Sequence, residues 1–509
     1  MTMKRKTSPR SGGLRGVLAL SAVGLWGLSA GLAGAQTLNV GVQGLPDSLD
    51  TAVSSFAALN MALQTMDALV LRDDTGKTMP GLAESWEAVD PLTWRFNLRD
   101  GVTFHDGTPF TAEDVKFTLD YILAPDSVYG SKSRIGQIES TAVVDEHTVE
   151  ITTTVPFPTL IIGLSDIPIE PKHYVEKVGR EAMIAAPMGT GPFVFESWVP
   201  GDRYALTANP DYWQGAPKVE GVLFRQIPEA STRAASLIAG ENQIIEEIPI
   251  DIIPQIEQSE DVSVQGVETT VGLLLTFDTR NPPYDDVRVR RALNMAVNKP
   301  LIFDRLLQGK GAVLKGQMLT SNTFGFNPDL EEIPQDLEAA KALLEEAGYA
   351  DGFDTSITTR SGKYLSDVDI ASAVAGMFRD VNVNAGVNIV EQGVFSKMVQ
   401  ARDMGPLHMV GWYSVGDADF ATVWFTEDSG RAYWKNDEYE ELFTKARSTV
   451  DEAERLAAYN RMMEIMHEEV PAIFLFGLPS IYGMSDSLTG FEPPSDKIMR
   501  LWNAEIAAD

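Results

Sequence analysis

Residues Pro80 to Leu123, PGLAESWEAVDPLTWRFNLRDGVTFHDGTPFTAEDVKFTLDYIL, change their hydrophobic period part-way along and so limit what can surround them. Trp94, Phe96 and Leu98 alternate with Thr93, Arg95, Asn97 and Arg99, the period-2 pattern of a strand with one buried face. Asp100-Gly101 follows as a turn dipeptide, because Gly accepts positive φ and Asp bonds its own backbone. Val102 and Phe104 restart the alternation before a second such turn at Asp106-Gly107, so a hairpin is expected. Thr111, three residues before Asp114, then marks a helix start, with Val115, Leu119 and Ile122 at helical spacing. A hairpin that runs into a helix asks for a sheet with a helical layer on it.

The same reading along the chain gives strands at Thr37 to Val42, on both sides of Asp145-Glu146-His147 between Val143 and Val155, and at Gly272 to Asp278. Phe193 to Trp198 and Tyr204 to Ala208 form a hairpin about Pro200-Gly201. Asn60 to Leu71 reads as a helix leading into a strand. Helices are expected at Ser231 to Ala239, Asp286 to Val297, Pro300 to Leu307, Leu337 to Ala347 and Ala371 to Phe378. The longest spans Asp451 to Val470, N-capped by Asp451 and ended by Pro471, with Leu456, Tyr459, Met463, Met466 and Val470 as its apolar stripe. Strands and helices mix without a steady βαβα rhythm, which means α/β or α+β with several sheets. At 509 residues the chain exceeds what one core supports, so two or three domains are expected.

Met1 to Ala35 has the three parts of a secretory signal peptide. Its basic start holds Lys4, Arg5, Lys6, Arg10 and Arg15, its apolar run is Val17 to Leu32, and Ala33-Gly34-Ala35 is a small-residue cleavage site before Gln36. No later segment approaches the ~20 apolar residues needed to cross a bilayer. The formal charge is −31; without those five positive charges, 36 basic residues face 72 acidic ones, a net of −36. Such a surface argues against nucleic acid or anionic lipid as a partner and fits a hydrated exported protein. The absence of cysteine excludes disulfides, thiolate metal sites, Cys nucleophiles and a lipidated N-terminal Cys. The mature chain is therefore expected to begin at Gln36, outside the cytoplasmic membrane and not tethered by lipid.

Catalytic patterns are missing. His105, His147, His173, His408 and His467 are too scattered for a metal motif, and no H-E-x-x-H or G-x-S-x-G occurs. Gly189-Thr190-Gly191-Pro192 lacks the Lys and the helix start of a phosphate-cradling loop. Neither an enzyme nor a cofactor or metal is expected. His408 to Phe425, HMVGWYSVGDADFATVWF, is a better functional candidate. It gathers Trp412, Tyr413, Phe420 and Trp424 with Gly411, Ser414, Gly416, Asp417 and Asp419, the mixture of aromatic walls and placed polar groups that ligand sites use. A core strand and turn would account for the same residues, and the residues alone leave both readings open.

A resemblance decides between them. The stretch AESWEAVDPLTWRFNLRDGVTFHDG followed by TPFTAEDVKFTLDYIL resembles the signature region of bacterial family 5 extracellular solute-binding proteins. Gly189 to Glu241, Asp285 to Gly311 and Glu338 to Tyr349 are similar to further blocks of that family, in family order. The resemblance implies an α/β, two-lobed, hinged periplasmic binding protein of the cluster C type, with an extra domain attached to the first lobe. By analogy lobe I is 36–66, 172–277 and 480–509, the extra domain 67–171 and lobe III 278–479. It implies a monomer that binds a solute in the cleft and hands it to the membrane permease of an ABC importer. A peptide or peptide-like solute comes first, then an opine, sugar, other small organic solute or nickel complex; a periplasmic hydrolase and a chaperone are the rivals from other classes. The resemblance also places Trp412, Tyr413, Ser414, Asp417 and Asp419 in the cleft. Matching positions add Ser54, Ser55, Phe56, Tyr129, Arg134, Phe474 and Phe476. Where the family's peptide binders carry an Asp three residues after the Trp, to pair with the ligand's α-ammonium, this chain has Val415. Either Asp417 or Asp419 meets a cation instead, or the ligand lacks that amine.

Overall fold

The computed structural model describes residues 36–50, 56–125, 127, 130 and 132–507. The expected signal peptide lies outside them, as do Ser54, Ser55 and Tyr129; Phe56 opens the helix Phe56–Thr65.

Among the described residues one sheet of 11 strands runs through the molecule. From one edge its order is Val383–Val390, Phe353–Arg360, Leu407–Tyr413, Val262–Phe277, Ala472–Ser485, Ile244–Ile245, Thr37–Val42, Gly221–Gln226, Arg203–Ala208 and Phe193–Val199. Ala312–Val313 pairs at the side of Ala472–Ser485. The two longest strands, Val262–Phe277 and Ala472–Ser485, are antiparallel partners and join the two halves. Register shifts between Glu268 and Gly272 and between Leu273 and Leu274 interrupt their ladder. On one side of the break, Ile244–Ile245 pairs with Met484 and Gly483. On the other, Gly272 to Phe277 pairs with Trp412 to Leu407. Bulges bend strands and weaken local pairing, so the ladder between the two halves is at its weakest here.

Each half has its own core. Leu38, Val40, Phe193, Tyr204, Phe224, Tyr482 and Leu501 pack together in one. The other has two clusters on opposite faces of the sheet, one about Leu273, Leu293, Val374 and Leu475, the second about Leu274, Tyr439, Met462 and Phe474. Alternate residues of a strand face opposite ways, which is why Leu273 and Leu274 belong to different clusters.

A separate four-stranded antiparallel sheet, Ala83–Asp90, Thr93–Leu98, Thr148–Thr153 and Ile138–Asp145, carries the helix Ala112–Leu123 on one face. Thr111 accepts from the Glu113 N–H, and Asp114 returns a bond to the Thr111 N–H at 3.0 Å, the expected cap. Val115, Leu119 and Ile122 are buried against Phe96, Val149 and Ile151. The expected hairpin is corrected. Thr93–Leu98 pairs with the preceding Ala83–Asp90 and with Thr148–Thr153. Val102 and Phe104 are buried, yet their segment makes only an isolated bridge, Thr103 to Pro109. On the long helix Glu452–Glu469, Tyr459, Met463 and Met466 are buried as expected, whereas Leu456 is 38% exposed.

Candidate functional site

Three neighbouring parallel strands, Phe353–Arg360, Val383–Val390 and Leu407–Tyr413, end at the same edge of the sheet. Open α/β sheets leave room for ligands outside the carboxyl ends of parallel strands, where loops diverge. A cavity of about 410 Å³ lies there. The first strand supplies Arg360 at its end; the helix Gln392–Ala401 after the second supplies Phe395 and Val399; the third supplies His408, Val410, Gly411, Trp412 and Tyr413. Val415, Phe420, Trp424, Arg431 and Tyr433 complete the wall from the chain that follows, and Lys363, Tyr364 and Met404 close the rest.

The wall is aromatic. Trp412 and Trp424 are stacked, 4.9 Å between ring centroids and 13° between planes. The Arg431 guanidinium lies over Trp424 at 4.3 Å, a cation–π contact that extends the stack. Arg360 is 8% exposed; its Nη1 donates to Gln392 Oε1 at 3.0 Å, its Nη2 to the Tyr364 hydroxyl at 2.9 Å, and its guanidinium lies 4.0 Å from the Phe395 ring centre. The loop after Arg360 is wound round the buried Asp367 carboxylate, which accepts from the N–H groups of Gly362, Lys363 and Tyr364. Burial holds the His408 imidazole down to about 4, so at neutral pH this ring is an uncharged wall. It meets Tyr433 edge-on at 5.0 Å.

The turn after Tyr413 is strained. Val415, β-branched, has φ 51 and Gly416 has φ 89. A left-handed Val costs roughly 1–2 kcal/mol and persists only where its surroundings fix it. Here the Asp417 N–H returns to Ser414 O at 2.8 Å and the Asp417 carboxylate is held by Arg455 Nη2 at 2.9 and 3.0 Å.

The expected site residues therefore divide. Trp412 and Tyr413 line the cavity. Asp417 and Asp419 do meet cations, but the protein's own: Arg455 for the first and Arg447, at 2.9 Å, for the second. Ser414 is buried, bonded to Thr323 Oγ1 at 2.6 Å and facing Thr270 O. Phe474 and Phe476 are buried in the two clusters on opposite faces of the sheet, the latter stacked on Phe303. Arg134 is ion-paired to the buried Asp166, which also holds Arg72. None of these six lines the cavity, and each is engaged by its own fold. Arg360, Lys363, Tyr364, Phe395 and Arg431 were not anticipated; the only trace of them in the sequence is a lone Arg closing the run Ile357-Thr358-Thr359.

Residues 77–433 match the family model described as bacterial extracellular solute-binding proteins, family 5 Middle. The chain belongs to this family. As a family 5 solute-binding protein it is 27% identical over 454 residues to the glutathione-binding protein GsiB of Pectobacterium atrosepticum, covering 85% of this chain and 87% of that one. It is 28% identical over 441 residues to the dipeptide-binding protein of Escherichia coli, covering 79% and 81%. Among solved structures, HbpA2 from Haemophilus parasuis superposes with a TM-score of 0.85 at 26% identity, over 93% of this chain and 100% of that one. The fold is accordingly the two-lobed one of periplasmic binding proteins, and the cavity lies in a solute binder.

Proposed function

We propose that this chain is the substrate-binding subunit of an ABC importer. It captures a peptide or peptide-like solute in the cavity beside Trp412 and presents it, unaltered, to the membrane permease. The observation that carries the reading is the cavity itself: apolar and aromatic walls with a few fixed polar groups, at the carboxyl ends of three parallel strands, in a family 5 chain. Glutathione and dipeptides, the solutes in the names of two relatives, support the choice of solute class.

The lobes proposed are 36–66 with 172–277 and 480–509, and 278–479, with 67–171 as the extra domain; the separate cores support that division except at Val271 to Phe277, which pack with the second lobe. Closure turns about the break at Glu268 to Gly272. Cargo closes the lobes only in so far as it binds the closed form better, and moving the population from 1:99 to 99:1 takes roughly 5.5 kcal/mol of differential affinity. The working protein is a periplasmic monomer released by cleavage between Ala35 and Gln36 and carries no lipid, since the chain has no cysteine.

Thermal-shift screening against dipeptides, longer peptides, opines, sugars and nickel chelates tests the reading. A class that raises Tm and is returned chemically intact supports it. Turnover of the bound compound, or an undiminished shift in Trp412→Ala, rejects the carrier role or this site respectively.

A further inference from the structure

The charge on the cavity is opposite to that of the protein. Acidic residues outnumber basic ones by 72 to 41 in the sequence, yet the cavity is lined by Arg360, Lys363 and Arg431 and by no Asp or Glu. Most carboxylates nearby are committed elsewhere, and Asp403, exposed beyond Tyr433, lies in the field of Arg280. Asp417 pairs with Arg455, Asp419 with Arg447, and Asp278 with Arg280 at 2.7 Å. Across from Tyr413, Glu247 is held by Lys497 at 2.6 Å. Glu391 is exposed in the adjoining groove that Arg360 and Lys363 also line, and among the described residues it makes no ion pair with either.

Arg360 makes the case sharper. More than nine-tenths of it is buried, both of its hydrogen-bond partners are neutral, and its Nε has no partner at all. A buried guanidinium without a counter-charge is costly, and a carboxylate supplies both the missing acceptor and the missing charge. Arg431 is exposed, stacked on Trp424, and among the described residues no carboxylate lies within ion-pair distance of it. The lining they share also holds Trp412, Phe395, Val410 and Tyr364, aromatic or apolar, with Trp412 stacked on Trp424.

We infer that the cargo is an organic anion with a flat apolar body and no free ammonium group in this cavity. An amino-blocked peptide-like acid and an amine-free aromatic acid share that chemistry. A free ammonium would enter a cavity that already holds three cations and offers it no carboxylate, whereas each carboxylate of the cargo gains a partner. The inference rests on the cavity being the cargo site and narrows the solute class taken there.

The test titrates the purified protein by calorimetry with alanyl-phenylalanine, N-acetyl-alanyl-phenylalanine, its neutral C-terminal amide, and phenylacetate beside phenethylamine. The acetylated acid is expected to bind on the order of tenfold or more tightly than the free-amine dipeptide, and the amide and the amine far more weakly than the acids. Phenylacetate binding better than the acetylated dipeptide selects the amine-free arm. Arg360→Gln is expected to weaken the preferred acid on the order of a hundredfold, the scale on which one member of a desolvated charge pair is lost. Should that variant not fold, the exposed Arg431→Gln must still lower affinity for the acid and leave that for the amide unchanged. Equal or tighter binding of the free-amine dipeptide, or binding of none of the acids, overturns the inference. Neither outcome touches the carrier reading, which falls only if no solute of any class raises Tm or if the bound solute is converted.

Discussion

The Tyr364 hydroxyl lies on the backbone of Gly411, accepting its N–H at 2.8 Å and facing its carbonyl at 3.3 Å. The same oxygen accepts from Arg360, so the position of the cavity's buried cation depends on how closely a phenol approaches one peptide unit. Only Gly allows it: a Cβ at position 411 would stand 2.7 Å from the Tyr364 ring.

Gly411→Ala is therefore expected to push Tyr364 off the strand and leave Arg360 with Gln392 as its remaining partner. Overpacking of this kind costs typically 1–3 kcal/mol. The expected result is a modest fall in Tm with a much larger loss of cargo affinity. A loss of stability with unchanged affinity would dissociate Tyr364 from the site.

Arg455 and Asp417 make a buried pair, 7% and 8% exposed at their side chains, and hold the strained turn that presents Val415 to the cavity. Arg455→Met removes the cation and keeps most of the packing, which leaves Asp417 buried beside Asp419. Breaking one side of such a pair costs about 3–5 kcal/mol. Denaturant unfolding should show that loss, and adding Asp417→Asn should restore part of it. A single variant as stable as the parent would mean that the turn does not need the pair.

These two cases show what the sequence discloses and what it withholds. The helix Ala112–Leu123 is readable because its cap and its apolar spacing lie within one dozen residues. The partner of Thr93–Leu98 is not, because Ala83–Asp90 is exposed along most of its length and carries no alternation. Val102 and Phe104 mimic a strand because burial and strand pairing leave the same mark on three residues. At the site, the aromatic and glycine cluster round Trp412 fits a core strand as well as a ligand wall, and only the family resemblance points Trp412 to the cleft. Asp417 is misread because its cation stands 38 residues downstream on another element. Arg360 and Arg431 look like ordinary surface charges until the sheet brings them to one cavity.

Burial also makes His408 a reporter of pH. Its imidazole is lowered from 6.5 to about 4 in the folded protein, so between those values the unfolded chain takes up a proton that the folded chain refuses. Stability is thus lost as pH falls through this window, by at most about 3 kcal/mol near pH 4. Asp419, raised from 3.8 to about 6 by burial, works the other way: the folded chain binds its proton first, and stability falls as pH rises from about 4 to 6. His408→Phe isolates the first effect. Its stability, measured by denaturant unfolding at pH 7, 6, 5 and 4, should gain on the parent progressively below pH 6.5. Parallel curves would place the titration of His408 outside this window.

The last prediction concerns the break between the halves. Gly272 pairs with Trp412 on one side and Gly477 on the other, so it ties the cavity wall to the joint. A Cβ there would lie 2.3 Å from the backbone carbonyl oxygen of Met318, which no rotamer change can relieve. Gly272→Ala must move backbone at the joint, at a cost of typically 1–3 kcal/mol. Because the strand beyond it carries Trp412, cargo affinity should fall together with stability. Gly386→Ala serves as the control, since on the edge strand its Cβ would meet nothing nearer than Thr355 O at 4.0 Å. Small-angle scattering with and without cargo should then show compaction in the parent and the Gly386 variant, and a reduced change for Gly272→Ala. An unaltered compaction in that variant would move the joint elsewhere along the two long strands.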